Sequence, residues 1–321
     1  MRAGERAVNP ATTGWPARLH VVTGKGGTGK TTVAAALALA LAAEGRRTLL
    51  VEVEGRQGIA QLFGTDPLPY EERRIAAVPG GGEVRALAVD PEEALLEYLD
   101  MFYKLGAAGR ALRKFGAIDF ATTIAPGLRD VLLTGKVKEA TTRTVDRRRV
   151  YDSVILDAPP TGRIGRFLNV TAEAARLAKV GPIKTQSEGV AALLRSPITS
   201  VHVVTLLEEM PVQETIDAIE ELGKLGIPVG RVILNAASPP LLAGKVTQAE
   251  LRRGLVAAGL PADRTTVAGL HAEARDQITR RALEDSLRAD LAELGVPMIE
   301  LPLLTSGVDR ASLDRLAAAL G

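Results

Sequence analysis

A short glycine-rich segment between an apolar run and a helical pattern carries the strongest chemical signal in the 321-residue chain. It fits the spacing G-x-x-x-x-G-K-[ST], in which glycines let successive backbone N–H groups turn toward one point. The helix that follows adds the positive end of its dipole at that point, so the segment is suited to bind phosphates. We predict a nucleotide site formed by nine consecutive residues: Gly24, Lys25, Gly26, Gly27, Thr28, Gly29, Lys30, Thr31 and Thr32.

Individual side chains around this segment have expected roles. Lys30 is expected to reach the β- and γ-phosphates, and Thr31 to place its hydroxyl on Mg²⁺. A carboxylate partner for the metal should follow another buried strand, and Asp157 comes directly after such an apolar run. Thr161 and Gly162 follow closely, and we expect them to sense the γ-phosphate through a backbone N–H.

The segment after a later apolar run predicts which base is bound. Guanine sites of this class usually read Asn-Lys-x-Asp, whereas this chain has Asn235 followed by Ala-Ala-Ser, without the acidic residue. An Asn amide both donates and accepts hydrogen bonds, which fits the edge of adenine. ATP is therefore favoured over GTP.

Apolar, β-branched runs alternate with helical patterns along the chain. The runs are almost continuously apolar, which is typical of parallel strands buried on both faces. This alternation predicts an α/β fold with a doubly wound, mostly parallel sheet and right-handed crossovers. The predicted strands are residues 19–23, 48–53, 84–89, 153–156, 201–206, 231–234 and 298–301.

Helical patterns separate these runs. One of them, residues 262–294, is long enough that we expect more than one helix within it. The others are residues 31–44, 91–105, 211–225, 248–258 and 310–320. We predict a flexible N-terminal tail of residues 1–17, followed by a single nucleotide-binding domain of residues 18–321.

Residues 91–145 interrupt the alternation, because helical stretches follow one another there without a strand. We predict a helical insertion on one edge of the sheet. This segment holds half of the ten aromatic residues of the chain: Tyr98, Phe102, Tyr103, Phe115 and Phe120. They form either the ordinary core of the insertion or an apolar surface for a client or partner.

Composition excludes several other classes of site. The chain has no cysteine, so it has no disulfide, iron–sulfur cluster or thiolate zinc site. Its 40 basic and 38 acidic residues give no overall basic field for nucleic acid. No apolar run approaches the roughly 20 residues of a spanning helix, and the first residues do not resemble a signal peptide. We therefore expect a cytoplasmic protein without stable membrane insertion.

Lys25 is additional to the ordinary phosphate loop. The string K-G-G-T-G-K-T-T resembles the deviant Walker A class of dimeric P-loop NTPases. Within that class, several stretches between residues 19 and 304 resemble the arsenite-pump ATPases and their relatives that target tail-anchored membrane proteins. The resemblance implies an ATPase in which Lys25 contacts the nucleotide of the facing subunit. It also implies that Glu208, which Glu214 follows shortly after, is the glutamate that contacts the nucleotide. Asn235 is expected to contact adenine, and Pro302 and Leu303 to flank it.

The chain departs from this family in two places. The family's first switch has Asp before Pro, where the carboxylate orients the attacking water; here Glu54 precedes Gly55. Glu54 is expected either to orient water, with slow hydrolysis because the side chain is longer, or to cap a helix in a nearly inactive protomer. The family's zinc-binding and arsenite-binding cysteines are also missing, so neither zinc nor thiolate sensing of arsenic is expected.

Three functional hypotheses remain open. The first is a dimeric ATP switch whose hydrolysis changes the helical insertion, with hydrophobic or membrane-protein clients. The second is a weakly hydrolysing regulatory protomer of a heterodimer with a paralogous ATPase. The third is a membrane-cycling partitioning ATPase, which usually needs a terminal basic amphipathic helix. The C-terminal residues 309–321 have two Arg and two Asp, which does not favour the third hypothesis.

Overall fold

An eight-stranded β-sheet organises the described part of the protein. The computed structural model describes residues 14–103, 127–170, 172, 182–239, 242, 244–305 and 307–321. The strands within these ranges are β1 (Leu19–Gly24), β2 (Arg47–Glu52), β3 (Arg73–Ala77), β4 (Glu83–Ala88), β5 (Thr144–Val145), β6 (Arg148–Arg149), β7 (Ser153–Asp157), β8 (Thr199–Thr205), β9 (Val229–Ala237) and β10 (Met298–Pro302).

Helices cover both faces of this sheet. The helices among the described residues are α1 (Lys30–Ala43), α2 (Gly58–Phe63), α3 (Pro91–Tyr103), α4 (Leu128–Thr142), α5 (Thr161–Leu168), α6 (Pro182–Leu194), α7 (Glu209–Lys224), α8 (Gln248–Ala257), α9 (Arg264–Ala292) and α10 (Arg310–Leu320). On one face lie α1, α2 and α10, and the other helices that pack on the sheet cover the second face.

The strand order is β10-β9-β8-β1-β7-β2-β4-β3. Neighbours pair in parallel except at one edge, where β3 runs antiparallel to β4. The predicted fold class is confirmed, and each of the seven predicted runs is a strand of this sheet. The sequence analysis missed β3, whose Arg-Arg-Ile-Ala-Ala sequence lies half-exposed at the edge, so it lacks the apolar pattern of a central strand.

The order of the strands creates a crevice at the ends of β1 and β7. The crossover from β1 to β2 passes β7 on one side, through α1. The crossover from β7 to β8 passes β1 in the opposite direction, through α5 and α6 on the other face. Ligands of open α/β sheets bind outside the carboxyl ends of the strands at such a switch point.

Helix α1 is held by packing on all sides rather than by one apolar stripe. Eleven of its fourteen residues are buried, because it lies between the sheet and α10. A helix that is apolar all round is stable only when it is enclosed in this way. Its first residue, Lys30, is therefore fixed against the sheet, where the predicted phosphate site begins.

Three details differ from the prediction. Residues 264–292 form one continuous helix of 29 residues rather than several. The predicted tail of residues 1–17 extends too far, because Trp15 and Ala17 are buried; residues 1–13 lie outside the described residues. Helix α4 of the predicted insertion contacts the central strand β7 and contributes to the main core, so it covers a face of the sheet and not an edge.

The insertion is described only in part. Residues 104–126 lie outside the described residues, and of its five aromatic residues only Tyr98 has a described side chain. Tyr98 is buried with Leu95 of the same helix in the core on that face of the sheet. For this one aromatic residue, the prediction of an ordinary core position is confirmed.

Two histidines lie stacked in the core between β1 and β8. Nδ1 of His20 is 3.0 Å from Nε2 of His202, and both side chains are fully buried. Trp15 packs edge-on against both rings, and its indole N–H donates to the carbonyl of Leu320. Burial lowers the pKa of His20 to about 3 and that of His202 well below its usual value, so both rings are neutral in the folded protein.

This pair predicts a loss of stability in mild acid. Unfolded histidines bind protons below about pH 6.5, whereas burial lowers the pKa of His20 to about 3 and that of His202 well below its usual value. The free energy of unfolding should therefore fall as the pH drops below 6.5, by up to about 1.4 kcal/mol per pH unit for each histidine. Urea unfolding of a His20→Leu/His202→Leu double variant between pH 5 and 7 should show a shallower pH dependence.

His271→Gln, on α9 outside the buried pair, is the control and should retain the dependence of the unmodified protein. An identical pH dependence in the double variant and the unmodified protein would contradict the assignment.

Candidate nucleotide-binding site

Two glycines at the ends of the phosphate loop lie where no side chain fits. Gly24 has a φ of +156°, and a Cβ there would collide with the carbonyl oxygen of Val204 in β8. Gly29 has a φ of +89°, and a Cβ there would collide with the amide of Asn235 in β9. Between them, the backbone N–H and hydroxyl of Thr28 both donate to the carbonyl of Lys25, at 3.3 and 2.9 Å. The loop is therefore closed and fixed against the two neighbouring strands.

The predicted metal ligands meet at the base of this loop. Thr31 Oγ1 donates to Asp157 Oδ2 at 2.7 Å, whereas Oδ1 of Asp157 is buried without a hydrogen-bond partner in the described part of the chain. Burial is the main cause that raises the pKa of Asp157 to about 6, and the charges of Glu52 and Glu54 add to it. A hydroxyl and an unpartnered buried carboxylate oxygen are suitable donors for a hard cation such as Mg²⁺.

Glu54 of the predicted first switch lies close to Arg163 of the predicted second switch. It follows β2, and its Oε1 is 3.7 Å from Nη1 of Arg163, in the first turn of α5. The predicted alternative of a helix-capping Glu54 is not what the structure shows. Helix α2 begins at Gly58, and the residue preceding it is Gln57. Glu54 lies close enough to Asp157 for its charge to raise the pKa of that carboxyl group.

The carboxylate that receives the first N–H groups of α2 belongs to Glu52, which the sequence analysis did not single out. Glu52 is 2% exposed, and its oxygens accept from the backbone N–H groups of Gly58 and Ile59 at 3.4 and 3.3 Å. It is paired in register with Asp157 across β2 and β7. An acidic residue inside an apolar run, Val51-Glu52-Val53, was the signal in the sequence that could have identified it.

Lys25 is engaged within its own chain. Its ammonium group pairs with Glu214 Oε1, and Thr161 Oγ1 donates to Oε2 of the same carboxylate at 2.8 Å. The hydrogen bond from Lys25, followed by that from Thr161, lowers the pKa of Glu214. The structure thus joins Lys25 and Thr161, two predicted site residues, through a glutamate on α7.

Three of the four residues predicted to contact the nucleotide base or its surroundings line a cavity of 760 Å³ beside the phosphate loop. Glu208, Asn235 and Leu303 all line it, whereas Pro302 does not appear among the lining residues. Asn235 Nδ2 donates to the carbonyl of Thr28 at 2.8 Å, so this side chain also supports the phosphate loop. Helix α9 forms one wall of the cavity, a contribution that its polar sequence did not predict: Arg280, Leu283 and Glu284.

The remaining predicted residues lie along the open side of the loop. Gly26 and Gly27 are exposed in the loop itself, and Gly162 is exposed at the start of α5. Thr32 is half-buried in the first turn of α1. A substrate phosphate can thus approach the loop from solvent.

Comparison with known proteins agrees with this geometry. The family described as Anion-transporting ATPase matches residues 17–194. The chain is 54% identical to ATPase BagA of Mycobacterium tuberculosis, over 96% of this chain and 95% of that protein. It is 28% identical to an arsenical pump-driving ATPase of Escherichia coli, over 75% of this chain and 43% of that protein. It is 26% identical to ATPase GET3 of Kluyveromyces lactis, over 67% and 70% of the two chains.

These matches confirm the resemblance deduced from the loop and the switches. No helix among the described residues is both long and apolar enough to cross a bilayer. The match covers the phosphate loop, both switches and the strands that carry them. The chain belongs to the anion-transporting ATPase family, and it is an ATPase that binds a nucleotide.

Proposed function

We propose that this ATPase is a dimeric molecular switch that binds ATP with Mg²⁺ and couples hydrolysis to a change in the predicted helical insertion of residues 91–145 (the helical segment), whose described helices are α3 and α4. The observation that carries the proposal is the convergence of four groups at one crevice. Lys25 lies in the phosphate loop, Thr31 is bonded to Asp157, and Glu54 lies beside them at the end of β2.

The metal and the phosphates are assigned to separate groups. Thr31 and Asp157 would hold Mg²⁺, which supplies positive charge to the β- and γ-phosphates when it is bound. Lys30 and the N–H groups of the loop would hold the phosphate oxygens. Glu54 would orient the attacking water, and its ion pair with Arg163 keeps that carboxylate close to the start of α5.

The contacts of α5 support a route from the nucleotide to the helical segment. This short helix begins at Thr161, which we expect to sense the γ-phosphate. It packs against α7 and against α4 of the helical segment. Loss of the γ-phosphate would release Thr161 and let α5 shift against α4, a type of order–disorder or hinge change known in nucleotide switches.

We propose hydrophobic or membrane-protein clients for the helical segment, based on its aromatic content. The relative from Escherichia coli is named as driving an arsenical pump, but this chain lacks the thiolates that would sense arsenic. Any anion or metalloid handled here would need oxygen or nitrogen donors.

A second candidate function is a regulatory protomer of a heterodimer with a paralogous ATPase. The replacement of Asp by Glu54 favours it, because a shift of about 1 Å in a catalytic group lowers rates strongly. The partitioning hypothesis has less support. Helix α10 buries its apolar side chains against α1 in the core, so that face is not available to a membrane.

Replacing Lys25 tests the dimeric mechanism. Lys25→Ala should abolish turnover but leave ATP affinity within about threefold, because a trans lysine acts only when two protomers meet. Isothermal titration with a non-hydrolysable ATP analogue and steady-state phosphate release would measure the two effects. Equal losses of binding and turnover would count against a role on the second nucleotide.

Replacing Glu54 separates the two candidate functions. Glu54→Gln should lower kcat about 100-fold or more, the usual contribution of a positioned base, while Arg163→Gln should lower it less. The unmodified protein alone should turn over ATP measurably. Negligible turnover that rises about tenfold in Glu54→Asp would instead favour the regulatory protomer.

Replacing Asp157 tests the metal assignment. Asp157→Asn should reduce the Mg²⁺-dependent part of ATP affinity by about tenfold or more, as loss of a metal-positioning carboxylate does. Binding measured with EDTA should change little. Asp152→Asn is the control, because this exposed carboxylate accepts from the backbone N–H of Arg47. A similar loss in both variants would refute the assignment.

A further inference from the structure

Glu214 binds one group from each side of the phosphate site. Lys25 of the phosphate loop pairs with Oε1, and Thr161 at the start of α5 donates to Oε2 at 2.8 Å. The lysine and glutamate side chains are 30% and 31% exposed, so this pair is half-buried rather than free at the surface. A single carboxylate on α7 therefore links the loop to the second switch.

This pair competes with the role that we propose for Lys25. One ammonium group cannot lie against Glu214 of its own chain and also lie on the phosphates of a facing subunit. Because Lys25 is in the loop, its side chain can change partner by rotation, but only after the ion pair opens. Dimer closure must therefore include the cost of breaking two such pairs, one in each protomer.

Bound nucleotide would favour the exchange. Glu214 accepts from two donors, the ammonium group of Lys25 and the hydroxyl of Thr161. Phosphate oxygens can accept from the same two donors. The negative charge of the nucleotide also repels the charged carboxylate of Glu214. Both effects weaken the contacts of Glu214. Because Lys25 and Thr161 are held by the same carboxylate, both contacts are weakened together.

We propose that Glu214 is a positioning residue that retains Lys25 in the free protomer and releases it, together with Thr161, when two ATP-loaded protomers meet. This inference rests on the proposed role of Lys25 on the second nucleotide. The inference adds a condition to that role. In a protomer that has no ATP-bound partner, Lys25 stays paired with Glu214 and does not contact the nucleotide of another subunit. The simultaneous release of Thr161 links dimer closure to movement of α5.

Self-association of the full chain tests the proposal. Sedimentation equilibrium with Mg²⁺ and a non-hydrolysable ATP analogue gives the protein concentration at half-association. Glu214→Gln keeps the size of the side chain but removes the charge. It should lower that concentration by about three- to tenfold, because ion pairs in contact with solvent are individually weak and two are broken per dimer.

Glu220→Gln is the matched control. Glu220 lies on the same helix and is 62% exposed, with an ion pair only to Lys224, so its replacement should leave the midpoint unchanged. An unchanged or raised midpoint in Glu214→Gln would overturn the proposal, since loss of the retaining pair should only favour closure. Should Glu214→Gln fail to fold, as judged by its thermal transition, Glu214→Asp serves instead. Its shorter carboxylate cannot hold both donors, so it should lower the midpoint in the same direction.

Turnover of Lys25→Ala, measured beside this assay, distinguishes failure of the dimeric function from failure of the retaining role of Glu214. Absence of any ATP-dependent association in the unmodified protein, or full turnover in Lys25→Ala, would refute the dimeric function itself. Loss of turnover in Lys25→Ala together with an unchanged midpoint in Glu214→Gln would refute only the retaining role of Glu214.

Discussion

The site depends on a steric constraint at the two ends of the phosphate loop. The carbonyl of Val204 and the amide of Asn235 occupy the positions that side chains would take at Gly24 and Gly29. The loop can curl only because these positions are glycine, which tolerates the positive φ and the close approach. Because Val204 and Asn235 lie on β8 and β9, the curvature of the loop depends on the strand order of the whole sheet. The positions of Lys25, Lys30 and Thr31 therefore depend on how β8 and β9 pack against the loop.

Much of the fold could be predicted from the sequence because burial on two faces leaves a simple signal. Strands β1, β2 and β7 are buried along almost their whole length, and at least half of the residues in each are Leu, Ile or Val. The edge strand β3 has no such requirement and carries Arg73 and Arg74. The single helix α9 was predicted as several because only four of its 29 residues are buried, which leaves little periodicity to follow.

The site was predictable where its residues are adjacent in sequence. The phosphate loop is nine consecutive residues, and spacing alone identifies it. The partner of Lys25 is different: Glu214 lies 189 positions away, and the sequence analysis assigned the nucleotide contact to Glu208 without predicting this ion pair. The cavity wall contributed by Arg280 of α9 had no local pattern at all. Contacts between distant segments are set by packing, which a single sequence does not display.

The first switch shows how this chain accommodates the longer Glu54. Gly55 and Gln57 both have positive φ, of 68° and 56°, so the backbone after Glu54 turns twice where the family has proline. The turn is fixed from both ends. Glu52 receives the first N–H groups of α2, and the side chain of Gln57 exchanges two hydrogen bonds with the backbone of Leu68. These contacts hold the turn in which Glu54 lies, and there its charge raises the pKa of Asp157.

The packing of Trp15 over the two buried histidines has a consequence for the order of folding. Trp15 covers both rings, and its indole is bonded to the carbonyl of Leu320 near the opposite end of the sequence. During synthesis Trp15 leaves the ribosome some 300 residues before its partner does. The parallel strands beside Trp15 must assemble with that side open to water until α10 has emerged and packed in place. A ribosome-bound chain should therefore bind nucleotide poorly until α10 docks, because α1, which begins the phosphate site, packs on the same helix.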